Sequence, residues 1–158
     1  MTNDAASEVR PITILMADDD PDDQMMTRHA LERNRLMNDL RFVEDGEQLM
    51  QYLRREGAYA KPGSAPRPGL ILLDLNMPRK DGRQALAEIK SDPALRCIPV
   101  IALTTSRAEE DVLRSYDLGA NSYITKPVTL DELVDTMKLI GQYWLGIVAL
   151  PGCQTQEY

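Results

Sequence analysis

The sequence has only two cysteines and one histidine among its 158 residues, which excludes several kinds of site. Cys97 and Cys153 lack the spacing of a metal-binding motif, and two cysteines are too few for a disulfide-rich scaffold. His29 falls in the predicted first helix. Ser106 therefore has no histidine to activate it as a nucleophile.

The chain also lacks long apolar runs and an excess of positive charge. No apolar stretch approaches the roughly 20 residues that cross a membrane, and residues 1–9 lack the basic and apolar regions of a signal peptide. The formal net charge of −7 argues against nucleic acid or an anionic membrane as the main partner. We expect a cytoplasmic protein with one domain over residues 10–150, a disordered tail over residues 1–9 and a second tail over residues 151–158.

Five short apolar runs alternate with helical patterns along the chain. Capping patterns open several of the helices, as at Asp20-Pro21 and at Asp45-Gly-Glu-Gln48. This alternation predicts an α/β fold, namely a doubly wound five-stranded parallel sheet of order 2-1-3-4-5. Residues 57–68 contain three prolines and two glycines, which predicts a long loop that is mobile or contacts a partner.

The run Leu70-Ile-Leu-Leu-Asp-Leu-Asn-Met-Pro78 predicts a strand that is buried on both faces. Asp74 ends this strand, at the edge of the sheet where α/β folds place their sites. In the predicted strand order, three other strand ends meet at the same edge. They deliver four further polar residues: Asp18, Asp19, Thr104 and Lys126.

These residue types together predict a particular chemistry. Three carboxylates in one place repel one another, so at neutral pH they need a divalent cation or a raised pKa. Oxygen ligands without histidine or cysteine suit Mg²⁺. Lys126 adds a compact positive charge for phosphate, and Thr104 adds a hydroxyl donor. The combination predicts Mg²⁺-dependent phosphoryl transfer onto the carboxylate of Asp74.

The set Asp18-Asp19, Asp74 within Asp-Leu-Asn-Met-Pro, Thr104 and Lys126-Pro127 resembles the receiver domain of response regulators in two-component signalling. The resemblance covers residues 12–150, nearly the whole chain, and it implies a flavodoxin-like receiver fold. It also implies that Asp74 accepts a phosphoryl group from a sensor histidine kinase and that Lys126 contacts this group. A cis bond between Lys126 and Pro127 is a further implication.

The resemblance also implies a metal site and a switch. Asp19 and Asp74 are the implied direct Mg²⁺ ligands, with the backbone carbonyl of Asn76 as a third and Asp18 acting through a water molecule. Thr104 and Tyr123 form the implied switch, since the resemblance implies that this pair rearranges on phosphorylation.

Other features are similar to single-domain response regulators of bacterial phytochromes. They are the Leu-Thr-Thr-Ser106 segment, the insertion before the third strand, and a long last helix predicted from Thr129 to about Leu150. This similarity implies a protein that is not itself an enzyme, has no DNA-binding module and changes an interaction surface on phosphorylation. The apolar arc of the last helix is wider than one face needs, which favours a homodimer through this helix.

Two alternative functions stay open. A Mg²⁺-dependent phosphohydrolase with an aspartyl-phosphate intermediate would use the same acidic set. Such enzymes usually carry a second aspartate two residues after the nucleophile, where this chain has Asn76. A scaffold with a vestigial site would bind no Mg²⁺.

Asp22 and Asp23 are interpreted as acids of the first helical turn, where their negative charges interact favourably with the helix dipole.

Overall fold

The computed structural model describes residues 12–33, 39–77, 82–104, 119–120 and 122–140 of the chain. Its strands form one parallel sheet in the order β2-β1-β3-β4-β5, which confirms the predicted fold class. The strands are β1 (Thr13–Ala17), β2 (Asp39–Val43), β3 (Pro68–Asp74), β4 (Val100–Thr104) and β5 (Ser122–Thr125).

Helices cover both faces of the sheet. The described helices are α1 (Pro21–Arg33), α2 (Gly46–Arg54), α3 (Gly82–Ser91) and α4 (Leu130–Ile140), with a single 3₁₀ turn at Gly57–Tyr59. One buried cluster lies between the sheet and the pair α2 and α3, and the other lies between the sheet and the pair α1 and α4. The helix predicted after Ser106, the end of the last helix and both predicted tails lie outside the described residues.

The central strand β3 is buried on both faces, as the sequence predicts. Leu70 and Leu72 pack with α1 and α4, whereas Ile71 and Leu73 pack with α2 and α3. A strand with apolar residues on both faces is stable only between two layers of helices. This position carries Asp74 to the middle of one edge of the sheet, between the neighbouring strands β1 and β4.

The predicted capping residues open α2 and α4. The Asp45 side chain accepts a hydrogen bond from the backbone N–H of Gln48 at 2.8 Å, and Gln48 Oε1 accepts from the N–H of Glu44 at 2.9 Å. At α4, Thr129 Oγ1 accepts from the N–H of Glu132 at 3.2 Å. These bonds satisfy donors that a helix start leaves without an intrahelical partner.

The loop before β3 is tied to its surroundings by hydrogen bonds to its backbone. Tyr52, Arg55 and Arg41 donate to the carbonyl oxygens of residues 66, 65 and 64, at 2.8, 3.1 and 3.3 Å. Buried Tyr52 also lies against Tyr59, with ring centroids 5.2 Å apart. These bonds argue against a mobile loop, while contact of the loop with a partner stays a prediction.

Cys97 lies in the turn before β4, at the edge of the sheet opposite Asp74, and is disulfide-bonded. A guanidinium nitrogen of Arg67 lies 3.7 Å from its sulfur. Cys153, the other cysteine of the sequence, lies outside the described residues. None of the described helices is both long and apolar enough to cross a membrane.

Candidate functional site

The carboxyl ends of four strands bring the predicted site residues together. Asp18 and Asp19 follow β1, Asp74 ends β3, Thr104 ends β4 and Lys126 follows β5. Carboxylate oxygens of Asp18, Asp19 and Asp74 lie within 4.8 Å of one another. The Lys126 ammonium group lies among these acids, 3.0 Å from Asp74 Oδ2.

The position of Lys126 is set by backbone pairing at the end of the sheet. Thr104 pairs with Thr125 across β4 and β5, and the next N–H, of Lys126, donates to the Thr104 carbonyl at 2.7 Å. Thr104 is fully buried. The lysine side chain therefore starts from a well-anchored strand end, which limits the positions that its ammonium group can take.

Asp18 is completely buried beside Lys126. Its Oδ1 accepts from the backbone N–H of Asp20 at 2.9 Å. Its Oδ2 lies 3.1 Å from Lys126 Nζ, an ion-pair contact without hydrogen-bond geometry, so Oδ2 has no hydrogen-bond donor among the described residues. Burial raises the pKa of Asp18 to about 6, although the Asp20 N–H and the Lys126 charge oppose the rise.

We predict that Asp18→Asn stabilises the metal-free protein at pH 7.5. The pKa of Asp18 is about 6 in the folded state against 3.8 for an exposed carboxyl, so stability falls as the pH rises from about 4 to about 6. Above this window the ionised carboxyl costs the folded state about 2–3 kcal/mol. Urea unfolding with EDTA should show this gain at pH 7.5 and lose it near pH 4.

The neighbouring exposed acid provides the control for this measurement. Asp22→Asn should change the free energy of unfolding by less than about 0.5 kcal/mol at both pH values. If Asp18→Asn is no more stable than the wild type at pH 7.5, the buried carboxylate does not destabilise the folded protein as expected.

Both oxygens of Asp74 are held by hydrogen bonds. Its carboxyl Oδ1 accepts from the backbone N–H of Asn76 at 2.9 Å, and Oδ2 accepts from Lys126 Nζ at 3.0 Å. Asp74 is only 3% exposed, whereas Asn76 is exposed at the rim of the site. The role of the Asn76 carbonyl as a metal ligand stays a prediction.

Asp23 is a site residue that the sequence analysis missed. It lies in the first turn of α1, and its Oδ2 is 2.6 Å from Lys126 Nζ, closer than the carboxylates of Asp74 and Asp18. Burial lowers the pKa of Lys126, but Asp23, Asp74 and Asp18 outweigh it and raise the pKa well above its usual value. The one sequence signal for this role is spacing, since Asp23 comes about one helical turn after the pair Asp18-Asp19.

The donor set fits a hard divalent cation. Carboxylates from Asp18, Asp19 and Asp74 are close enough to share one ion, and oxygen is the ligand that Mg²⁺ and Mn²⁺ accept. The buried Asp18 Oδ2 without a hydrogen-bond donor also favours a cation. With Asp23 included, the site holds four carboxylates and one ammonium group, so it has a negative charge to neutralise.

Comparison with known proteins decides the family. The model of the response regulator receiver domain matches residues 14–138 of the chain. The chain belongs to the response regulator receiver domain family. Response regulator Rcp1 of Synechocystis sp. is 43% identical over 141 residues, which are 89% of this chain and 94% of Rcp1.

Two solved structures are similar to this receiver domain over most of its length. The phosphorylated cyanobacterial phytochrome response regulator RcpA has a TM-score of 0.80 and 45% identity, covering 90% of this chain and 100% of RcpA. The Mn²⁺-bound form of Rcp1 has a TM-score of 0.79 and 42% identity, with coverage of 90% and 100%.

Tyr123 in β5 and Pro127 just after β5 carry two further features that the resemblance implies. Tyr123 is 5% exposed, packs with the cluster under α2 and α3, and accepts a hydrogen bond from the Ala120 N–H at 3.3 Å. Its rearrangement together with Thr104 stays a prediction. The described residues contain no cis peptide bond, so the implied cis bond before Pro127 is wrong for this structure.

Proposed function

We propose that this receiver domain accepts a phosphoryl group on Asp74 from the phosphohistidine of a sensor histidine kinase, in a reaction that requires Mg²⁺. The observation that carries the proposal is the setting of Asp74. Its carboxylate lies 3.0 Å from Lys126 Nζ and within 4.8 Å of the carboxylate oxygens of Asp18 and Asp19. The phosphorylated RcpA structure and the Mn²⁺-bound Rcp1 structure support it by similarity.

The residues around Asp74 position the acceptor and stabilise charge. The Asn76 N–H and Lys126 Nζ hold the two oxygens of Asp74, which fixes the plane of the attacking carboxylate. Lys126 also places a positive charge where the phosphoryl oxygens arrive, and stabilisation of this kind is the main catalytic contribution in phosphoryl transfer. Mg²⁺ bound by Asp19 and Asp74, with Asp18 acting through water, would neutralise further charge on the moving group.

The phosphorylated form would change the surroundings of Asp74. A phosphoryl group carries about −1.5 to −2 charges, against one for the carboxylate that it replaces. The larger charge attracts Lys126 and the hydroxyl of Thr104. We propose that Tyr123 moves into the space that Thr104 leaves and so changes an interaction surface.

The proposed donor is a phytochrome histidine kinase, because RcpA is a cyanobacterial phytochrome response regulator. We also propose a cytoplasmic location. Because disulfides are rare in that compartment, we expect its reducing conditions to open the bond that Cys97 makes in this structure. A homodimer through the last helix is also proposed. Leu139, 66% exposed on α4, supports it as an apolar side chain on the outer face of that helix.

The test is the intact mass of the full chain after incubation with acetyl phosphate and Mg²⁺. We expect one phosphoryl adduct that requires Mg²⁺ and is absent from Asp74→Asn. Asp135→Asn, at an exposed position of α4, should label like the wild type. Failure of the wild type to label beside a receiver that does would favour the scaffold. Rapid phosphate release without an adduct would favour the phosphohydrolase, although Asn76 occupies the position of its usual second aspartate.

A further inference from the structure

Three carboxylates share the ammonium group of Lys126, and the closest belongs to a residue outside the proposed metal ligands. The distances from Nζ are 2.6 Å to Asp23, 3.0 Å to Asp74 and 3.1 Å to Asp18. A lysine ammonium carries one positive charge, so the three carboxylates share it. A phosphoryl group on Asp74 must therefore share Lys126 with partners that are already in place.

The start of α1 holds Asp23 firmly in this position. Asp20 Oδ1 accepts from the N–H of Asp22 at 2.9 Å, and Gln24 Nε2 donates to the carbonyl of Asp18 at 2.7 Å. The first turn of α1 is thus tied to the connection between β1 and α1 on both sides of Asp23. Its carboxylate cannot withdraw from Lys126 without breaking these bonds or changing rotamer.

The contact between Asp23 and Lys126 is partly shielded from water. Their side chains are 30% and 22% exposed, and both line a small, largely apolar cavity between α1 and α4 beside Met26, Leu133 and Met137. Water screens charges less in such a place than on an open surface, so the interaction is stronger than that of an exposed pair.

We propose that Asp23 restrains phosphorylation of Asp74 by competing with the phosphoryl group for Lys126; the inference rests on the function proposed above. Two effects of Asp23 both disfavour the phosphorylated state. The phosphoryl group attracts Lys126 away from Asp23, which weakens that ion pair, and its extra negative charge is repelled by Asp23 itself. An interaction that is stronger in the unphosphorylated state favours that state, so removing the charge of Asp23 favours phosphorylation.

The test measures the affinity of the full chain for beryllium trifluoride, a phosphoryl mimic, by calorimetry at saturating Mg²⁺. Saturation is needed because Asp23 also attracts the metal ion. Asp23→Asn keeps the shape and the acceptor oxygen of the side chain but removes its charge. We expect it to bind the mimic about five- to tenfold more tightly than the wild type, within the usual range of coupling between two sites.

Two further variants show whether the change in affinity comes from the contact between Asp23 and Lys126, from the lower net charge or from a change in structure. Asp22→Asn removes the same charge from the exposed neighbouring residue and should stay within about twofold of the wild type. Asp23→Glu restores the charge and should return the affinity towards that of the wild type. Equal tightening in Asp22→Asn, or no tightening in Asp23→Asn, would overturn the inference. A wild type that binds no mimic would instead overturn the proposed function, on which the inference rests.

Discussion

Replacing Gly82 with alanine should destabilise the protein by about 3 kcal/mol and slow phosphorylation of Asp74. Gly82 opens α3 directly against the end of β3, where its N–H donates to the Leu75 carbonyl at 3.2 Å. An added Cβ would lie 2.5 Å from the Asp74 carbonyl oxygen and 2.5 Å from Leu75 Cα. Both are backbone atoms, so no side-chain rotation can relieve the clash.

The start of α3 must therefore move away from the strand end, and the acceptor moves with it. Urea unfolding would measure the lost stability, and labelling with acetyl phosphate would measure the slower reaction. Gly63→Ala is the matched control, since its φ is +83° but a Cβ there meets nothing within 4 Å. We expect the control to lose only about 1 kcal/mol, from backbone strain alone. Equal losses in the two variants would contradict the steric explanation.

Gly82 shows which part of the site the sequence could predict and which it could not. The pattern Asp81-Gly-Arg-Gln84 predicts a helix start, and α3 begins there at Gly82. The same pattern does not reveal that two backbones touch at this glycine, because that distance depends on how closely α3 packs on β3. Local signals thus predict elements, whereas the clearance between elements comes from the assembled fold.

The strand order was predictable because it follows from general rules of topology. Alternating strands and helices with right-handed crossovers leave few arrangements, and the chosen order fixes which strand ends meet. Asp18, Asp74 and Lys126 could therefore be grouped from the sequence alone. These rules do not fix the strand limits. The apolar run at residues 98–103 predicts a strand there, whereas β4 spans Val100–Thr104, because an apolar run does not show where pairing begins.

Asp23 was missed because the rotation of α1 about its own axis could not be predicted. The buried residues of α1 are Thr27, Ala30 and Leu31, whereas Met25 is 60% exposed. Hydrophobicity is thus a poor guide to the inner side of this helix. A first-turn acid is also fully explained by the helix dipole, so nothing local pointed to Lys126 as its partner.

Replacing Lys126 with methionine should slow phosphorylation and strengthen metal binding at the same time. Methionine keeps an unbranched chain but removes the positive charge that contacts Asp74 at 3.0 Å. We expect transfer from acetyl phosphate at saturating Mg²⁺ to slow by about 100-fold or more, the usual effect of removing one charge-stabilising donor. Mg²⁺ should bind about tenfold more tightly, because the lysine no longer repels the ion or shares its carboxylates.

The opposite directions make this variant a sharp test of the site. Misfolding would weaken metal binding and transfer together, whereas loss of the Lys126 charge alone separates them. Calorimetry with Mg²⁺ and single-turnover labelling would measure the two effects. Lys61→Met, at an exposed position of the loop before β3, should change neither by more than about twofold. Weaker Mg²⁺ binding in Lys126→Met would mean that the lysine organises the carboxylates rather than competing with the metal ion for them.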